Sequence, residues 1–180
     1  MRRTVELMLP RWPAYKVGFR IATISNPLSL PNFVDVSDPN NLSNSKGNGS
    51  VPYSYKIGKY MITNNDYVEF LNAIAQTDTY GVYDSKMDII PTPTPVPGGP
   101  IISPKAQRGG IIRTGVSGSY AYSVKNNMGN KPVIFVSWFS AARYCNWLHN
   151  GKPSGIQDVS TTEDGAYALF GSNSGIFLKK

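Results

Sequence analysis

The sequence is poor in the residues that bind metals or carry out redox chemistry. Its 180 residues include one cysteine, Cys145, and one histidine, His149. A single cysteine excludes an internal disulfide and any site with several thiolate ligands. A zinc site would have to depend on carboxylates instead of the usual histidine and cysteine ligands. We therefore expect no metal site.

Long hydrophobic runs are also missing. No stretch approaches the roughly 20 apolar residues of a membrane-spanning helix, and no apolar run of about 7–15 residues follows the initial Met1-Arg2-Arg3, as an export signal would require. We expect a soluble chain that has no membrane partner.

Positive charge is in modest excess, because the net charge is +7. Residues 1–24 supply +4 of it, and the rest of the chain only +3. No basic helix or dense lysine and arginine stripe appears, so we do not expect nucleic acid as a partner.

Proline and glycine are plentiful, with 14 and 17 residues, and they predict long loops. Residues 91–100 contain five prolines, which cannot join a helix or a central strand. We interpret residues 89–107 as an insertion that is extended and exposed. A stiff spacer is the simpler interpretation, and docking into an aromatic groove is the other.

Two helices follow from apolar spacing and capping residues. Thr63 is a good N-cap, and Asp66 follows three residues later. The first helix should cover about residues 64–76, and its apolar face comprises Tyr67, Phe70, Leu71 and Ile74. Ser137 should cap a second helix that ends at Asn150-Gly151. Its apolar face comprises Trp138, Ala141, Ala142, Cys145 and Leu148.

Short apolar or alternating runs predict the strands. We expect strands within residues 17–24, 33–36, 53–60, 132–136 and 166–170. Residues 109–115 and 120–124 should form a hairpin, because the glycine and serine residues between them permit a tight reversal.

Six ordered blocks of the sequence form a recognisable set: YKIGKY at 55–60, TNNDYVEFL at 63–71, KPV at 131–133, VSW at 136–138, AARYCNWL at 141–148 and TTEDGAY at 161–167. Together they resemble the first half of the formylglycine-generating enzyme, or sulfatase-modifying factor, domain. This resemblance implies an α+β, C-type-lectin-like fold, in which two main helices pack on a small, mostly antiparallel sheet with long loops.

The same resemblance limits the expected chemistry. Enzymes of this family oxidise a substrate cysteine with a copper-binding cysteine pair near the end of the domain, and this sequence has no such segment. Ergothioneine-type relatives place several histidines around iron, whereas only His149 is present here. We therefore expect no catalytic residue and no cofactor. We assign a structural role in the core to Tyr55, Tyr67, Phe70, Trp138, Cys145 and Trp147.

The other polar candidates have simpler explanations. His149 lies near the end of a helix, where a cation interacts favourably with the dipole. Asp158, Glu163 and Asp164 could supply oxygen ligands to calcium, but acids spaced this loosely are more typical of a solvated turn.

The order of the segments differs from the family's usual order. VGFRIA at 17–22 resembles the strand that normally closes such a domain, whereas residue 33 onward resembles a domain start. We divide the chain into a basic segment, 1–30, and a partial domain, 31–180. A circular permutation, a piece of a tandem array and a subunit that completes a neighbour's sheet would each give this order.

These observations favour a non-catalytic binding or structural module. A missing second half would leave an open sheet edge, so we expect a protein partner or a homo-oligomer, and carbohydrate is another open ligand. The candidate contact loops are 37–50, 91–110 and 171–175. The alternative is part of a formylglycine-generating oxidase that needs a second chain for its catalytic half, and a third option is a redundant gene fragment.

Overall fold

The computed structural model describes residues 5–8, 19–23, 33–88 and 109–174 as an α+β arrangement. The helices are α1 (Asn64–Ile74) and α2 (Trp138–His149), and a short 3-10 turn covers Ser85–Met87. The predicted insertion at 89–107 lies outside the described residues. The strands are β1 (Val5–Met8), β2 (Arg20–Thr23), β3 (Phe33–Val36), β4 (Tyr55–Gly58), β5 (Ile111–Thr114) and β6 (Ala121–Val124).

The main sheet is antiparallel, with the strand order β1-β2-β4-β3. β2 therefore lies inside the chain's own sheet, between β1 and β4. Phe19 and Ile21 are buried in the core, so the strand predicted in this segment is confirmed. β5 and β6 form the predicted hairpin, which packs against α1.

Helix α1 begins with a complete capping box. The Thr63 hydroxyl accepts the Asp66 amide, and the Asp66 carboxylate accepts the Thr63 amide at 2.9 Å, so each residue satisfies a donor of the other. The predicted apolar face is buried. The helix ends at Ile74, slightly earlier than expected.

Helix α2 begins after its Ser137 cap and is buried on nearly all sides. Its Tyr144 and Trp147 rings join Phe19, Tyr67 and Phe70 in an aromatic cluster, with centroids of neighbouring rings 5.3–6.5 Å apart. Such pairs add stability beyond their buried area. A few large rings thus fill the core of a domain rich in loops.

Two predicted strands are wrong. Residues 132–136 form only an isolated bridge between Thr63 and Pro132, and the positive φ of 66° at Phe135 interrupts an extended chain. Residues 166–170 contain only an isolated bridge residue, Tyr167, and form no strand, because nearby groups accept several of their amide hydrogens. Asn146 accepts the Tyr167 amide at 2.8 Å, and the Glu163 carbonyl accepts the amides of Leu169 and Phe170.

A buried ion pair connects α2 to the chain that follows it. The Arg143 guanidinium donates to both carboxylate oxygens of Glu163, at 2.7 and 2.9 Å, and both side chains are almost fully buried. Arg143 also donates to Asn173 and Ser172, while the Gly171 amide donates to Glu163. Glu163 therefore does not lie on a solvated turn, as its spacing in the sequence suggested.

We expect Glu163→Gln to destabilise the fold by about 3–5 kcal/mol, because it leaves the Arg143 charge buried without its partner. Denaturant unfolding followed by circular dichroism measures this change. The control is Glu69→Gln, which breaks the exposed pair with Lys152 and should cost less than about 1 kcal/mol. Equal losses for the two variants would contradict a dominant role for the buried pair.

Candidate interaction site

The register of the main sheet assigns its side chains to two faces. Residues that are paired across antiparallel strands share a face, and successive residues alternate between faces. Phe33 pairs with Gly58, and this face carries Ile21 into the core. The opposite face carries Val34, Val36, Tyr55 and Ile57, which we call the sheet patch.

The sheet patch is apolar and partly exposed. Val34 is 41% exposed, and the other three side chains are half-buried. Tyr53 extends the patch, because its ring contacts Tyr55 edge-on at 6.5 Å. The charged residues of these two strands, Asp35 and Lys56, lie on the other face and pair with each other.

Strand β3 is the last strand of the sheet on that side. Within the described part of the chain, no strand pairs with its outer edge. Such an edge presents backbone N–H and C=O groups to any further strand. An apolar face and an open edge therefore meet at β3.

The expected core residues do not all lie together. Tyr67, Phe70, Cys145 and Trp147 are fully buried, and Trp138 is half-buried against the core. Tyr55, which we expected in the core, lies on the sheet patch instead. Its strand presents Gly58 and Lys56 to the core side, which places Tyr55 on the outer face.

Cys145 lies within α2 and has no exposed surface. Burial raises the pKa of its thiol well above the usual range, because the thiolate would lose its hydration. The thiolate is the form that attacks substrates and binds metals. Cys145 is therefore a small core residue, and its burial disfavours the reactive thiolate.

The acids considered as calcium ligands, Asp158, Glu163 and Asp164, do not converge on one point. Glu163 points inward to Arg143, whereas Asp158 caps its own turn, and hydrogen bonds from Ser160 lower its pKa. Within residues 5–8, 19–23, 33–88 and 109–174, no group of three or more histidine, cysteine, aspartate or glutamate residues could hold a metal ion. His149 lies in the last turn of α2, as expected.

The predicted contact loops at 37–50 and 171–175 differ in whether they face solvent or support the core. The loop at 37–50 is exposed and ordered by asparagine side chains: Asn41 bonds Gly49 and Val51, and Asn44 accepts the Lys46 amide. Residues 172 and 173 instead bind Arg143, so that segment supports the core. Most of the loop at 91–110 lies outside the described residues.

A cleft of about 340 Å³ lies between the β4–α1 connection and the first turns of α1. Tyr60 is 61% exposed at the cleft, and Tyr144 of α2 also lines it. The sequence analysis treated both tyrosines as parts of blocks that resemble the family and missed this cleft, because its walls come from distant segments. The sheet patch could have been found from the alternation at 34–36 and 55–57.

These elements define a loop-rich α+β domain with two helices and small antiparallel sheets. A comparison with protein-family models matches residues 39–173 to the sulfatase-modifying factor enzyme 1-like domain. The chain belongs to this family, whose fold is C-type-lectin-like. A search of curated proteins and a search of solved structures each found no match. No helix in the described ranges is long and apolar enough to span a membrane.

We expect the native Cys145 thiol to resist a thiol reagent and to react fully once the chain is denatured, because the reagent needs an accessible thiolate. Absorbance of the released chromophore measures the reaction. The control is Val159→Cys at a 62% exposed site, which should react at once. Rapid labelling of the unmodified native chain would contradict the buried position of Cys145.

Proposed function

We propose that this chain is a non-catalytic, self-associating structural module whose contact surface is the sheet patch and the outer edge of β3. The observation that carries the proposal is the coincidence of a partly exposed apolar face with a strand edge that no described strand pairs. Each feature alone is common on protein surfaces. Together they match the way in which extended segments add to a sheet, with backbone bonds giving affinity and side chains giving specificity.

The charge distribution at the sheet patch permits a second copy as the partner. The chain carries +7 overall, so two copies repel each other at long range. The sheet patch has no charged side chain, and Asp35 and Lys56 neutralise each other on the far face. Two such edges can therefore meet without placing unpaired like charges in contact.

Geometry also permits a two-fold arrangement. An antiparallel strand pair is related by a two-fold axis, which is the commonest symmetry of homo-oligomers. Side chains that are paired across strands must share a face, so Val34 must lie opposite Val34 or Val36 of the second copy. The two sheet patches would then form one continuous apolar surface.

The second candidate is part of a formylglycine-generating oxidase. Family membership supports this scaffold, but the burial of Cys145 favours the non-catalytic function. The test is aerobic incubation of the chain with a cysteine-containing sulfatase peptide, followed by mass spectrometry. Conversion of the peptide cysteine to an aldehyde by the chain alone would overturn the structural proposal.

We expect the mass measured by light scattering after size exclusion to rise with protein concentration for the native chain. Val34→Lys should hold the mass at that of a monomer, because it places a charge in the contact. Val116→Lys, at a 70% exposed site in the β5–β6 turn, is the control and should associate as the native chain does. A native chain that stays monomeric at all concentrations would refute self-association.

A disulfide experiment tests the geometry. Because Cys145 is buried, Val34→Cys introduces an accessible thiol, and paired Cα atoms across strands lie close enough for a disulfide. We expect oxidation to crosslink Val34→Cys with itself or with Val36→Cys. Val116→Cys is the control, and crosslinking of all three variants to the same extent would contradict pairing at β3.

A further inference from the structure

The cleft beside α1 contains a polar group with no evident structural role. Tyr144 is only 2% exposed, and its ring is enclosed by Phe19, Tyr67, Phe70 and Trp147. Its polar end faces the cleft, where Asp66 and Glu69 act electrostatically on it. No described residue forms a hydrogen bond with its hydroxyl.

Other core tyrosines are satisfied by the protein itself. Tyr67 donates to the Val82 carbonyl at 2.8 Å, and Tyr122 donates to the Ala75 carbonyl at 2.8 Å. Buried polar groups normally find such partners, and exceptions call for an explanation. Among the described residues the Tyr144 hydroxyl has no such partner, which a molecule in the cleft can supply.

The charged groups around the cleft are already engaged. Glu69 accepts Lys152 through both carboxylate oxygens, at 3.0 and 3.1 Å. Asp66 accepts the Thr63 amide and hydroxyl, and it lies at the N-terminus of α1, where its charge is favourable. Each of these carboxylates already has partners within the protein, which favours a neutral ligand.

The remaining polar groups offer both donors and acceptors. The side-chain amides of Asn65 and Asn130 line the cleft and contact each other through one long bond of 3.4 Å, which leaves most of their capacity unused. Burial raises the pKa of Tyr144 well above its usual range, so its hydroxyl stays neutral and keeps a proton to donate. This set matches a ligand with several hydroxyl groups.

An aromatic surface completes the site. Tyr60 is 61% exposed, and Met61 beside it is 39% exposed. Aromatic rings of this kind present an apolar body with a polar tip, which suits ligands that have both apolar and polar faces. The volume of about 340 Å³ lies at the lower end of the range for small-molecule sites.

We propose that this cleft binds a neutral carbohydrate, with the Tyr60 ring against the apolar face of a sugar and with Tyr144, Asn65 and Asn130 bonded to its hydroxyls. The proposal rests on the cleft and not on the sheet patch. Its test is therefore independent of the test of self-association.

The first experiment applies the fluorescently labelled chain to an array of neutral and acidic glycans, and the best neutral glycan is then titrated by calorimetry. We expect binding to neutral glycans. Tyr144→Phe keeps the packed ring and removes only the hydroxyl, so it should weaken binding about fivefold to tenfold. Tyr60→Ala should weaken it by about tenfold or more.

The control is Tyr53→Ala, a 44% exposed tyrosine outside the cleft, which should leave the affinity unchanged. Thermal unfolding of each variant by circular dichroism separates a lost contact from a lost fold. Absence of glycan binding by the native chain would overturn the proposal. Binding confined to acidic glycans, competition by an arginine-rich peptide, or equal effects of Tyr53→Ala and Tyr60→Ala would also overturn it.

Discussion

The ion pair between Arg143 and Glu163 is the interaction on which the second half of the described structure depends. An arginine without exposed surface requires a partner that matches its planar, forked geometry, and the bidentate carboxylate supplies it. Glu163 in turn needs more donors, which come from Thr162 and Gly171. These bonds hold residues 162–173 against α2, although the structure describes no strand in residues 150–174.

The same principle recurs where loops replace regular structure. The side-chain amide of Asn146 in α2 donates to the carbonyls of Thr162 and Tyr167 and accepts the Tyr167 backbone amide. These three bonds take the place of the backbone bonds that a short sheet would form. Trp147 donates to the Pro153 carbonyl and fixes the turn after α2. Helix α2 thus serves as a buried polar and aromatic scaffold, which explains why it is buried on almost every side.

The core and the exposed surfaces differ in their chemistry. The thiol of Cys145 is one more buried group of α2, and its position gives the scaffold no reactive centre at that point. What the fold presents to solvent is a set of surfaces: the sheet patch with the edge of β3, and the cleft of Tyr60 and Tyr144. Association and ligand binding are the roles that we propose for these two surfaces.

The sequence alone determined the two helices and their caps, because Thr63, Asp66 and Ser137 act on amides only a few residues away. It also determined β2, β3, β4 and the β5–β6 hairpin, whose apolar or alternating runs are local signals. The family resemblance identified the fold class and drew attention to the family's cysteine pair, which a sequence with one cysteine cannot supply.

Only the tertiary structure decided the rest. Residues 132–136 and 166–170 have apolar composition typical of strands. However, the positive φ at Phe135 interrupts the first segment, and the Glu163 carbonyl accepts two amide hydrogens of the second, so neither forms a strand. Tyr55 lies on the outer face of the sheet and not in the expected core, because the strand register decides which face of β4 is buried. Composition does not encode this register. The cleft unites residues from β4, α1 and α2, and the Glu163 partner lies 20 residues from Arg143. Contacts between distant segments are set by how the whole chain packs, so no local pattern could reveal them.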